Sequence, residues 1–101
     1  MSNEAEAKVV VGNKKGLHAR AAAKFVKAVG QFDAKMMVAK IAGAGVIADA
    51  PPLESSGGSI LGLMMLGAEC GSTLRLRANG AQASEAIAEL TKLVEGRFGE
   101  E

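Results

Sequence analysis

Lys15-Gly16-Leu17-His18-Ala19-Arg20-Ala21-Ala22 joins a valine-rich run, Val9-Val10-Val11, to an alanine-rich stretch with helical spacing. The β-branched run suits a strand, so this octapeptide is a passage from strand to helix. His18, the single histidine of the chain, falls beside the helix start. The first backbone N–H groups there have no partner inside the helix. With the helix dipole they make a ready site for an anion such as phosphate, centred on the amides of Ala19 and Arg20. Arg20 adds a fixed positive charge with planar donors. A nucleophilic imidazole, a phosphate cradle and a guanidinium thus share one turn of chain.

Upstream, Ala5, Ala7, Val9 and Val11 alternate with Glu6 and Lys8 among the outward positions, the pattern of a half-buried strand over Ala5 to Val11. Gly12-Asn13-Lys14-Lys15-Gly16 is a turn whose glycines let the backbone come close to a bound group. Downstream, Ala22, Phe25, Val26 and Val29 form one buried helical stripe, with Lys24 and Lys27 off it and Gly30 as the C-cap. Lys35 to Ile41 reads as a second strand and Ala44 to Ala48 as a third. The run from Asp49 to Gly58 holds two prolines, two serines and two glycines, so it reads as an extended loop. Ser59 is expected to cap a second helix through about Ala68. Thr73 to Ala78 reads as a strand with Leu74 and Leu76 inward and Arg75 and Arg77 outward, followed by an Asn79-Gly80 turn. A last helix is expected from about Ser84 to Val94, with Ile87, Leu90, Leu93 and Val94 on one stripe and Gly96 and Gly99 ending it. The order β-α-β-β-α-β-α predicts an α+β fold, one antiparallel sheet of four strands covered on one face by three helices.

The chain has 101 residues, enough for one compact domain over 1–101. With three Phe, no Trp and no Tyr, its core is expected to be small and tightly packed. A net charge of +1 argues against general nucleic-acid binding. No apolar run approaches the roughly 20 residues of a membrane span. The polar, acidic start Met1-Ser2-Asn3-Glu4 does not read as a secretion signal. A single cysteine, Cys70, rules out an intramolecular disulfide and fits a reducing cytoplasm. Cys70 is expected as a small core or helix-end residue. One histidine and one cysteine give no conventional zinc spacing, and the reading calls for neither metal nor cofactor.

Gly16-Leu17-His18-Ala19-Arg20 resembles the active-site run of HPr, the histidine-containing phosphocarrier family of the bacterial phosphotransferase system. Gly58-Ser59-Ile60-Leu61-Gly62-Leu63-Met64-Met65-Leu66-Gly67 resembles the family's regulatory-serine helix. The two motifs stand in the family's order, and the resemblance covers nearly the whole chain. By composition alone, His18 reads as an ordinary surface histidine and Arg20 as a solvated charge. Gly16 and the second motif turn both toward chemistry. The resemblance implies the family's open-faced β-sandwich. It also implies phosphorylation of His18, on Nδ1, by enzyme I charged from phosphoenolpyruvate, then transfer to a IIA domain. Two departures stand out. Ala21 takes the place of the family's usual proline, which suits a first helical turn, so a stability loss of only ~0.4–1 kcal/mol is expected. The loop over 49–58 is longer than the family's usual connection.

Ile60, Leu63, Met64 and Gly67 make one stripe of the second helix, and Leu61, Met64, Met65 and Ala68 another. A helix on one side of a small sheet cannot bury both, so an exposed apolar strip suited to several partners is expected. The resemblance makes it the docking face for enzyme I and IIA domains, with Leu61, Met64 and Met65 facing them. Lys24 and Lys27 are candidates to flank it and attract acidic partners. Ser59 is fully explained as an N-cap. The resemblance adds a second role, phosphorylation by HPr kinase/phosphorylase. The reading is a monomeric carrier with no independent turnover. The rivals are a regulatory docking module on the same fold and a small hydrolase, which would need a base or metal near His18. Sugar uptake and a nitrogen-related branch fit the carrier reading equally.

Overall fold

In a computed structural model that describes residues 3–100, the chain forms β1 (Glu4–Val10), α1 (Ala19–Val29), β2 (Lys35–Ala42), β3 (Glu54–Ser56), α2 (Ile60–Met65), β4 (Thr73–Asn79) and α3 (Ala83–Glu95), then a 3-10 turn at Arg97–Gly99. The four strands make one sheet in the order β1-β4-β2-β3, every pair antiparallel. The alternation in β1 and β4 sets the register: Val9 lies opposite Leu74, and Val38 of β2 opposite Leu76. Shifting either strand by one residue would turn its apolar set to solvent. Leu74, Leu76 and Ala78 face the helices, while Arg77 is exposed on the far side. The core over the sheet gathers Phe25 of α1, Leu63 of α2, Leu90 and Val94 of α3, and Phe98 beyond it, all essentially sealed from solvent. Burying an aromatic or aliphatic side chain of this size contributes about 1.5–3 kcal/mol.

The third strand is not Ala44 to Ala48. Gly43 and Gly45 there take φ of +125° and +85°, which breaks any extended run, and every residue from 43 to 51 is exposed. Pairing resumes only after Pro51-Pro52, where Val38 meets Ser55 within the stretch expected to be a loop. Lys40 N donates to Leu53 O at 3.1 Å and Gly57 N to Met36 O at 2.7 Å, closing both ends of this short strand.

α2 also stops earlier than Ala68. Leu66 N and Gly67 N bond back to Leu63 O and Met64 O, tightening the last turn, and Gly67 then reverses the chain at φ +62°. That reversal frees the Ala68 carbonyl to accept from Leu17 N at 2.8 Å. The end of α2 is thereby tied to the loop that carries His18. Cys70, in the turn that follows, is exposed and not a core residue, with Sγ 3.7 Å from the Gly12 carbonyl. Gly30 caps α1 as expected, but at φ −64°, so the cap needs no left-handed residue.

Candidate functional site

His18 is the N-cap of α1, and its own side chain does the capping: Nδ1 accepts from Arg20 N at 3.2 Å. Extended backbone at His18 (φ −80°, ψ 179°) aims the ring back across the first turn. Its carbonyl accepts from Ala22 N at 2.8 Å, so the residue begins the helix while its imidazole faces the helix amides. The ring is about three-quarters covered, with 25% of its side chain exposed. Ala19 and Arg20 are exposed, and Ala21 is fully buried.

The loop before it leaves little freedom. Gly16 takes φ +64°, and a Cβ there would lie 2.5 Å from Ala68 O and 2.9 Å from Glu69 Cα. Only glycine fits both the conformation and the space. Asn13, completely buried, donates through Nδ2 to Gly16 O at 2.8 Å and to Glu100 Oε1 at 2.8 Å. Glu100 in turn meets His18 Nε2 with both carboxylate oxygens, at 2.9 and 3.0 Å.

Glu100 is the site residue that sequence reasoning missed. It lies 82 positions from His18 along the chain. Phe98 brings it there, burying its ring in the core just two residues earlier. Arg97 and Phe98 both adopt left-handed backbone, φ +57° and +54°, to fold this end back. Lys24 Nζ holds the turn by donating to Phe98 O at 2.6 Å. Lys24 is therefore engaged with the C-terminal segment and is not a free cation beside a docking face. The hydrogen bond with His18, then that from Asn13, holds the Glu100 carboxyl below its ordinary range, outweighing the opposite pull of partial burial. Asn13 had a weaker signal, since Asn in a glycine-flanked turn often bonds to nearby backbone.

Glu100, the partner of the ring, also lines a hollow of about 280 Å³ together with Lys14, Lys15 and Arg20. Three cations and one carboxylate make it a place for a doubly charged anion. Among the described residues, no group of three or more His, Cys, Asp or Glu comes together to hold a metal.

The profile of the family described as "PTS HPr component phosphorylation site" matches residues 5–96. This chain belongs to the HPr family of phosphotransferase-system phosphocarriers. The phosphocarrier protein HPr of Neisseria meningitidis is 41% identical over 87% of this chain and 88% of its own length. The phosphocarrier protein NPr of Shewanella violacea is 34% identical over 94% of this chain and 93% of its own. The crystal structure of HPr-C-His from Thermoanaerobacter tengcongensis superposes with a TM-score of 0.78 at 35% identity, covering 96% of this chain and 98% of that one. The antiparallel sheet with helices on one face, read from the element order, is thus the open-faced sandwich that the resemblance implies.

The helix that resembles the HPr regulatory segment has its apolar strip in solvent. Ile60, Leu61, Met64 and Met65 are 42, 68, 41 and 73% exposed, whereas Leu63 and Leu66 point into the core. Ser59 caps this helix, its Oγ accepting from Gly62 N at 3.0 Å. Lys27 is exposed on α1. No helix among the described residues is long and apolar enough to cross a membrane.

Proposed function

We propose that this protein carries a phosphoryl group on Nδ1 of His18, taking it from phospho-enzyme I charged by phosphoenolpyruvate and passing it to a IIA domain. One observation carries the reading: the two ring nitrogens face different partners. Glu100 meets Nε2 at 2.9 Å, and the Arg20 amide points to Nδ1 at 3.2 Å. With the ring proton on Nε2 and donated to the carboxylate, Nδ1 keeps its lone pair. That lone pair attacks phosphorus. The bond from phosphorus to the donor breaks, its electron pair returns to the donor, and a new N–P bond forms at Nδ1. Glu100 offsets the positive charge that builds on the ring. Arg20, Lys14 and Lys15 supply cations for the phosphoryl oxygens, and the helix N-terminus supplies its dipole. Such a transfer needs positioning and charge stabilisation more than covalent chemistry, so no further catalytic group is required. Passage to the IIA domain runs the same step in reverse.

In this reading Leu61, Met64 and Met65 form the contact strip for enzyme I and IIA domains, with Lys27 at its margin. The carrier works as a cytoplasmic monomer. Phosphorylation of Ser59 by HPr kinase/phosphorylase would put about −1.5 to −2 charges beside that apolar strip, slowing the loading of His18. A Ser59→Asp variant is expected to load more slowly than the wild type, and equal rates would remove this regulation.

The test mixes the protein with enzyme I and phosphoenolpyruvate. A single acid-labile, alkali-stable phosphoryl group is expected, absent in His18→Ala. Phosphoryl loading that survives in His18→Ala contradicts the proposal, and downstream function that survives in His18→Ala without loading favours a docking module. The similarity to an NPr supports a second reading on the same chemistry, a carrier of the nitrogen-related branch. Faster loading by that branch's donor enzyme would select it.

A further inference from the structure

The loop over 43–53 stands away from the His18 site and encloses a cavity of about 880 Å³ against the edge of the sheet. That volume lies in the range of small-molecule pockets. Its walls include Ile41, Val46, Ile47, Leu53 and Leu66. Val46, Ile47 and Leu53 are 37, 72 and 64% exposed, an unusual share of large apolar groups for one surface loop.

Two cations line the same cavity. Lys40 is 94% buried, its relative exposure being 6%. Its ammonium donates to Ala44 O and to Gly67 O, two neutral carbonyls. No carboxylate of the described residues pairs with it. An ammonium has three donors, and burying one without an opposite charge is unfavourable. The second cation, Arg75, reaches Glu54 at 3.3 Å through Nη2, but its Nε is buried without an acceptor. Glu54 is shared with Arg77 at 3.7 Å, so one carboxylate faces two guanidinium groups. Asp49 is the single acid among the lining residues and is exposed. Apolar walls with a buried ammonium that lacks a counter-charge and a buried guanidinium Nε that lacks an acceptor describe a pocket for an amphipathic anion.

We propose that this cavity binds a small organic anion with an apolar body, its charged head taken by Lys40 and Arg75 and its body lying against Val46, Ile47 and Leu53. Gly67 and Leu66 give the site a direct connection to the end of α2, whose next residue, Ala68, is bonded to Leu17 of the His18 loop. The site is independent of the phosphoryl-carrier reading and stands or falls separately.

The test titrates the isotope-labelled protein with 8-anilinonaphthalene-1-sulfonate and with the neutral N-phenyl-1-naphthylamine, which shares the carbon skeleton and lacks the sulfonate. Amide shift changes are expected at Ile41, Val46, Leu53 and Gly67, saturating about tenfold lower in concentration for the anion than for the neutral compound. Arg75→Gln is expected to erase most of that preference, and Lys40→Met to erase it too if that variant keeps the native spectrum. Arg75→Gln decides the matter should Lys40→Met unfold. Equal binding of the two compounds would show a merely apolar surface. Shifts centred on Leu61 and Met65 would show adhesion to α2. Either result, or no saturation at millimolar concentration, overturns the proposal.

Discussion

Two loops, 12–18 and 43–53, lie on this sheet and are built in opposite ways. In the first, Asn13, Gly16 and Leu17 are buried, Leu17 N reaches across the chain to Ala68 O at 2.8 Å, and Val11 just before the loop donates to Ser72 O at 2.8 Å and accepts from Gly71 N at 2.7 Å. Glu100 closes it from the far end of the sequence. In the second, the internal backbone bonds are local and longer, Val46 N to Gly43 O at 3.2 Å and Ala50 N to Ile47 O at 3.3 Å. The side chain of Lys40 is its main tie to the body of the protein. A loop that must hold an imidazole at a fixed angle is determined by residues far from it. A loop held by one buried cation is free to differ in length and content.

The largest effect on this contrast should come from Phe98→Ala. The ring is 1% exposed, and its removal should cost about 3–5 kcal/mol in urea denaturation. It should also release Glu100, so amide exchange in the 12–18 loop should rise toward that of 43–53. Unchanged protection there would mean that the C-terminal anchor does not hold the His18 loop.

Paired glycine substitutions should sharpen the comparison. Gly16→Ala combines left-handed backbone with contacts of 2.5 and 2.9 Å to neighbouring backbone, and should cost about 2–4 kcal/mol. Gly45→Ala also has positive φ, but its Cβ would meet only Lys40 Nζ at 3.8 Å, so about 1–2 kcal/mol is expected from conformation alone. Similar losses in thermal unfolding would erase the distinction between the loops.

A smaller effect should appear in acid. The Glu100 carboxyl is held below its ordinary value by His18 and Asn13. Its contribution is therefore complete above the unfolded-state value, about 4.3, and is lost as pH falls through the lower folded value. Glu100→Gln should flatten that part of the stability curve. An identical acid slope in both proteins would mean that the carboxylate contact is not formed in solution.

What the sequence made legible follows the same division. β1, α1, β4 and α3 run for 7, 11, 7 and 13 residues, long enough for a period of two or 3.6 to declare itself. β3 has three residues, Glu54–Ser56, too few to show any alternation, and it is a strand because Met36 to Ala39 offer it a free edge. The end of α2 was hidden because Gly67 stops the helix for the sake of a bond to Leu17. His18 and Arg20 were readable from a local motif at a helix start. Glu100 was not, since its place depends on Phe98 filling the core and on Arg97 and Phe98 accepting left-handed backbone. The exposed strip on α2 was readable because two apolar stripes on one helix exceed what a single sheet can cover.

The most direct test of the carrier account is the 15N–31P coupling in the His18 ring after the 15N-labelled protein has been loaded by enzyme I and phosphoenolpyruvate. The account predicts coupling to Nδ1, with Nε2 still protonated against Glu100. Coupling to Nε2, or phosphate on no ring nitrogen at all, would contradict it.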